Sequence, residues 1–196
     1  NAPESKDNDF TWKDFQLRNN SELVAIFGNF VNRTLVLTHK YYDGIVPNQV
    51  DEKSEYYGIL EEVYKYPGSI SKSLDNFKFR ESVNTLIDLA RLGNKFLADR
   101  EPWKLIKNED QKRKVEEIMF ISIQICGMLA ILSEPFVPFA SEKLKSILNL
   151  KGKKWTELNI SSNIIDSKEL INKPELIFRK IEDEEIEREL SKLNNT

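Results

Sequence analysis

NSELVAIFGNFVNRTLVLTHKYY, residues 20–42, places Leu23, Ile26, Phe27, Phe30, Thr34, Leu37, Thr38 and Tyr41 along one register. At about 100° per residue these positions fall within about 120° of arc, the pattern of a helix that buries a single stripe. Asn20 or Ser21 is expected to cap its start, and Gly44 with Pro47 to end it. Whatever packs on that stripe sets the fold, so the remaining question is what the rest of the chain supplies.

It supplies more helices. DEKSEYYGILEEVYKY (51–66) reads as a second amphipathic segment closed by a turn at Pro67 and Gly68. DNFKFRESVNTLIDLARLGNKFLAD (75–99) reads as a third, with Phe79, Val83, Leu86, Ala90, Gly93 and Leu97 at helical spacing. Pro102 suits the first position of a short helical turn, where its missing N–H is not needed. Asn108 or Asp110 is expected to open the next and most apolar helix, which runs to about Leu132. The prolines of SEPFVPF (133–139) break the chain and start a helix through Leu148; KGKKW (151–155) is a loop and residues 156–174 read as irregular. PELIFRKIEDEEIERELSKL (174–193) reads as a terminal amphipathic helix with acid near its start, which suits the helix dipole. Residues 1–20 are polar around the aromatic island FTWKDF (10–15), which is expected to dock on the body.

No repeat of fixed period and no alternating strand of useful length occurs. The expectation is an all-α fold, a bundle of about five main helices, divided into a lead-in (1–19), the bundle (20–150) and a C-terminal extension (151–196). With 196 residues, 40% of them apolar, and only 7 Gly and 7 Pro, the chain can fill a real core and leans towards helix. The single Cys126 lies in IMFISIQICGMLAIL (118–132) and has no partner for a disulfide within the chain, which fits a reducing compartment. That apolar run includes Ser122, Gln124 and Gly127 and falls short of the roughly 20 residues a bilayer span needs, so it reads as a core helix and no membrane is expected. No leader-like series opens the chain, Asn1 and Ala2 read as an expression remnant, and the expected location is cytoplasmic.

Most familiar catalytic chemistry is missing. His39 is the only histidine, so no histidine pair binds a metal, and on the helical wheel it falls opposite the apolar stripe, which predicts a solvated side chain. There is no Gly-rich phosphate loop, CxxC pair or HExxH, and EDEEIERE (182–189) reads as a solvated acidic face. No catalytic residue, metal or cofactor is expected in this chain; it reads as a binder.

The net charge of −3 hides a gradient. Residues 65–114 hold 12 Lys/Arg against 7 Asp/Glu, whereas residues 155–196 hold 6 against 10. An anionic partner is therefore expected at the basic part, which contains LADREPWKLIKNE (97–109) and Trp103. A tryptophan behind a proline in so charged a run either packs into the fold or offers a platform on which a flat anion stacks, with Lys104 and Lys107 nearby. Asn29, Arg33 and Lys40 lie at relative angles of about 0°, 40° and 20° on a helix, one polar stripe flanking the buried face. An amide with a guanidinium one turn on suits a base edge and a phosphate, but any exposed helix carries polar residues at such spacing. The residues alone leave both pairs of readings open.

NSELVAIFGNFVNRTLVLTHKYYDG, FRESVNTLIDLARLGNKFLADREPWKLIKNE, SEPFVPFASEKL and ELIFRKIEDEEIE resemble, in order and spacing, the anticodon-binding helical domain of methionyl-tRNA synthetases over roughly residues 8–190. The asparagine–lysine and proline–tryptophan elements beside an upstream asparagine–arginine helix are the specific part of the likeness. The resemblance implies a domain that grips the anticodon stem and loop of methionine tRNA, initiator and elongator, and reads CAU while a catalytic domain of the same polypeptide works at the acceptor end. It implies that Trp103 stacks on an anticodon base, that Pro102 sets its position and that Asn29 and Arg33 read bases, with Lys40, Asn94 and Asp99 as neighbours. The family's HIGH and KMSKS motifs and its cysteine-bearing, zinc-binding insertions are not found here, so the chain reads as a fragment of a larger ligase. ATP with Mg, and Zn in members that bind it, would belong to the parent enzyme, and the fragment should not form methionyl-adenylate alone. The alternatives are the corresponding domain of a leucine, isoleucine, valine or cysteine synthetase, and a helical protein-interaction scaffold anchored by Trp103.

Overall fold

A computed structural model describes residues 9–158 and 163–193. Residues 1–8 of the lead-in, 159–162 of the irregular stretch and 194–196 at the end lie outside the described residues. Among those described, the secondary structure is helical apart from one isolated antiparallel bridge between Ile45 and Leu170, as an all-α fold requires.

The first helix starts earlier than its apolar stripe suggests. Thr11 caps it by accepting from the Asp14 N–H at 3.1 Å, and α1 (Trp12–Arg18) continues through a π-helical stretch, Asn19–Gly28, into α2 (Asn29–Tyr42). Asn20 and Ser21 are therefore interior and cap nothing, and helix runs across the junction between residues 19 and 20. In the π-helical stretch the Asn29 N–H reaches back to the Val24 carbonyl, five residues away. Such a stretch turns the later side chains relative to a 3.6-residue repeat. Phe27, Phe30, Val31, Thr34, Leu35 and Thr38 are buried, while Leu23, Ile26, Leu37 and Tyr41 of the expected stripe are only partly so. Asp43 in the left-handed region and Gly44 (φ 82) end the rod where expected.

The second segment is not one helix. It gives α3 (Tyr57–Val63) and then α4 (Tyr66–Asp75), and Pro67 and Gly68 lie inside the first turn of α4 instead of closing a turn before it. Proline at the start of a helix costs no hydrogen bond, and this is the same use the chain makes of Pro102 and Pro138. The third segment is α5 (Phe79–Arg100), whose Phe79 is exposed at its first position, outside the core. α6 (Pro102–Leu105) follows. A 3-10 turn at Glu109–Gln111 leads into α7 (Lys112–Leu132), so neither Asn108 nor Asp110 caps that helix.

α7 is the centre of the fold, flanked by α2, α5, α6 and α8 (Pro138–Ile147). With its lead-in, Glu109–Leu132 is long and apolar enough to cross a membrane by length and composition, but 94% of its apolar window is buried among the other helices. Its polar groups are matched: Ser122 donates to the Ile118 carbonyl, and Gln124 accepts from the Ile164 N–H at 2.8 Å and donates to the Ile165 carbonyl at 2.8 Å. Cys126 is buried, as its apolar setting predicts, and burial pushes its thiol up to about 12.

The C-terminal region differs most from expectation. Helix begins only at α9 (Asp183–Leu193), and residues 171–182 form an extended strap. Its backbone is held by side chains: Asn20 donates to the Ile181 carbonyl and accepts from the Ile181 N–H, each at 2.9 Å, and Asn19 donates to the Arg179 carbonyl at 3.0 Å. Phe178 packs edge-on against Phe27, ring centroids 5.3 Å apart. The strap also uses His39, which is half-buried against the Asn172 carbonyl at 2.9 Å and not the solvated histidine the wheel predicts. The FTWKDF island docks only in part. Gln16 bonds the Ile181 carbonyl and Lys13 the Asp183 carboxylate, while Phe10 and Phe15 stay exposed around Trp12.

Candidate nucleic-acid interface

Trp103 owes its place to a strained junction. Glu101 ends α5 in the left-handed region (φ 44, ψ 55), an uncommon conformation for a residue with a side chain. Pro102 then starts α6 and is itself buried, so it sets the turn without offering a surface. The indole that follows is half-buried. Lys104 is turned back to Glu101 at 2.7 Å and Arg100 lies over the Tyr56 ring, which leaves Lys107, also exposed, as the third cation of the run.

Across from it lies α2. The Arg33 guanidinium sits over the Trp103 ring, 5.1 Å from its centroid, a cation–π contact that also orients the planar cation. Trp103, Asn32, Arg33, Val36 and Leu37 line a shallow recess of about 340 Å³. The two predicted features, the tryptophan and the asparagine–arginine stripe, thus come from segments 70 residues apart and meet on one surface.

Asn29, exposed and one turn before Arg33, is held by α5. Its Nδ2 donates to Asn94 Oδ1 at 3.1 Å, and Asn94 Nδ2 donates to the Ile26 carbonyl at 2.9 Å and the Ala90 carbonyl at 3.1 Å. With two carbonyls on its nitrogen, Asn94 must turn its oxygen to Asn29, and Asn29 must answer with its own N–H. The Asn29 oxygen and second N–H are left over from that bond.

The other expected residues are looser. Lys40 is exposed at the far end of the stripe with its ammonium 5.7 Å from the Tyr41 ring centroid, and burial raises the Tyr41 hydroxyl so that it stays neutral. Asp99 is exposed in the last turn of α5. Asn32 and Val36 were not anticipated. The signal for them was an apolar Val36 on the outer face of α2, one turn from Arg33, where a solvated helix has no use for it.

This arrangement of helices around α7 has clear structural counterparts. Mycobacterium tuberculosis methionyl-tRNA synthetase in complex with methionyl-adenylate superposes with a TM-score of 0.82 over 90% of this chain and 35% of that one, at 18% identity. Its apo form gives 0.80 over 88% at 17% identity. The fold is that of the matching part of these methionyl-tRNA synthetases.

Residues 46–195 match the family described as the anticodon binding domain of methionyl tRNA ligase, and residues 1–35 match the class I (M) tRNA synthetases. The chain belongs to the methionyl-tRNA ligase anticodon-binding domain family. It is 50% identical to the methionine–tRNA ligase of Christiangramia forsetii, aligned over the whole of this chain and 29% of that protein. It is 51% identical to that of Phocaeicola vulgatus, over 98% of this chain and 28% of that protein. The chain spans under a third of the length of the curated relatives it matches.

Proposed function

We propose that this domain recognises the CAU anticodon of methionine tRNA, initiator and elongator, for a longer ligase that joins methionine to that tRNA with ATP. The observation that carries this reading is the Arg33–Trp103 stack with Asn29 one turn away, an aromatic platform, a cation and an amide edge on a single surface. Loop nucleotides are read when their unstacked bases lie on aromatic side chains while polar groups meet their edges. Arg33 occupies the indole face in the free domain, so a base takes that face as the guanidinium moves to a phosphate.

The orientation of Asn29 supports a particular base chemistry. An outward carbonyl oxygen beside an N–H is complementary to an amino group next to a ring nitrogen, the edge that cytosine and adenine present. Held in the same place by its stack, uracil puts a carbonyl where cytosine puts its amino group and would need the amide reversed, which sets the Asn29 oxygen against the Asn94 oxygen. Lys40, Lys107 and Asp99 flank the recess as secondary contacts on this reading.

Among the described residues no three metal-ligating side chains converge. ATP, Mg and any Zn would be handled by the rest of the polypeptide, and the place of work is the cytoplasm. The test is a fluorescence titration of the chain with a methionine-tRNA anticodon hairpin, CAU against a loop with its first base replaced. Selective binding of CAU that is lost in Trp103→Ala supports the reading; equal binding of both hairpins refutes it.

A further inference from the structure

A second concave surface, about 690 Å³, lies where α8 meets the loop after it. Phe139, Lys143, Lys145, Lys151, Lys153 and Lys154 line it together with Glu134 and Glu142. The loop is held in shape by two left-handed residues, Asn149 (φ 56) and Gly152 (φ 85), and by Lys153 Nζ, which donates to the Ile164 carbonyl at 2.6 Å. Lys145 is paired with Glu134 at 2.7 Å and Lys143 with Glu175 at 2.9 Å. Among the described residues five lysines against three carboxylates leave the recess positive in a chain whose net charge is −3. Beside these cations, on the first turn of α8, the Phe139 ring stands 86% exposed.

We propose that this recess is a second RNA contact, separate from Trp103, in which Lys151 and Lys154 hold backbone phosphates and Phe139 takes the face of one unpaired base. Lysines act as mobile point charges, and the lining holds neither a guanidinium fork nor a side-chain amide to read a base edge. The contact is therefore indifferent to sequence: charge follows the backbone, and any base has a face that an aromatic ring covers. An acidic protein surface would meet the charge but leave the ring bare; RNA satisfies both at once. The contact does not depend on the anticodon reading.

The experiment uses short oligouridine, which lacks CAU, and the chain carrying Trp103→Ala so that the first recess cannot contribute. Adding Lys151→Glu and Lys154→Glu should weaken binding about tenfold at low salt and flatten the plot of log affinity against log salt by about 1.4, two phosphates' worth for a single strand. Adding Phe139→Ser alone should weaken binding about tenfold with the salt slope unchanged. Circular dichroism equal to the parent's confirms that these surface changes leave the helices intact. Affinity unchanged by the lysine reversals overturns the proposal. So does a Phe139→Ser variant that binds as its parent while polyglutamate competes as well as RNA, which would make the recess a site for acidic protein. Self-association in sedimentation that disappears with the lysine reversals, without an effect on oligouridine, would assign the surface to a second copy of the chain and also overturn it. Loss of CAU preference in the hairpin titration with these effects intact would sink the anticodon reading alone.

Discussion

The tip of the Phe30 ring of α2 abuts Gly93 of α5: a Cβ built on Gly93 would fall 2.5 Å from two atoms of that ring. This close approach sets α2 and α5 so that Asn94, the next residue, reaches Asn29. Gly93→Ala should therefore destabilise the fold, although alanine favours helix by about 1 kcal/mol. The Phe30 ring is fully buried and has nowhere to retreat. Overpacking of this kind costs about 1–3 kcal/mol, net of which urea denaturation should show a lower midpoint, with weaker hairpin binding as the asparagine pair separates.

Trp103→Ala should lower affinity for the anticodon hairpin at least tenfold and leave thermal stability nearly unchanged. Stacking of a base on an aromatic contributes about 1–3 kcal/mol, and the indole is only half-buried in the free domain. Trp103→Phe should recover part of the affinity. In the longer ligase, tRNA charging should fall well over tenfold while methionine activation without tRNA hardly changes. Equal losses in the two assays, or a melting temperature that drops with affinity, would make Trp103 a packing residue.

The placement of the candidate site's residues was more legible in the sequence than the C-terminal third of the fold. Helical spacing put Asn29 and Arg33 on one face, and Pro102 signalled the turn that carries Trp103, because both are local rules. That the stripe and the tryptophan meet is a tertiary fact, which the family resemblance implied and spacing could not. The strap from 174 to 182 was misread as helix because Leu176, Ile177 and Ile181 have helical spacing. What holds it extended is long-range: Asn19, together with Asn20, which looked like a cap, satisfies its backbone from the far end of the chain. The π-helical stretch likewise shifted the buried stripe by an amount that a fixed period of 3.6 cannot express.

Gln124 in the middle of α7 is the only tie the described residues show between that helix and the backbone of Ile164 and Ile165. Gln124→Leu keeps the volume but leaves two buried N–H groups and a buried carbonyl bare, about 1–3 kcal/mol for each group. The chain should unfold at clearly lower urea, and amides near 164–165 should lose hydrogen-exchange protection first. A variant as stable as the parent would show that water or another group replaces the amide.

The last helix should release in acid. Glu185 is pushed down from its ordinary 4.5 to about 2, first by its bidentate bond with Arg179 and then by the Glu182 N–H. Asp183 is held low by Gln16 and then Lys13 of α1. Because the folded values lie below the unfolded ones, these groups stabilise the docked helix above about pH 4.5, and the contribution is lost as pH falls from there towards 2. Exchange protection factors over residues 183–193 should drop in that window before those of α7. Glu185→Gln should show weak protection of α9 already at neutral pH and less change on acidification.

Asn94 should act on base choice without touching RNA. By holding the Asn29 amide in one orientation it makes the outward edge complementary to an amino group beside a ring nitrogen, and a matched bidentate amide gives about 1–3 kcal/mol of discrimination. Asn94→Ala removes the acceptor, so the Asn29 amide is free to reverse and accommodate either edge. Affinity for the CAU hairpin should fall only a fewfold, while the preference for cytosine over uracil at the first anticodon position shrinks from tenfold or more towards unity. Asn29→Ala should flatten the same preference, and the double variant should add little to either single change. Strict cytosine preference in Asn94→Ala would mean that the amide is oriented by the RNA itself.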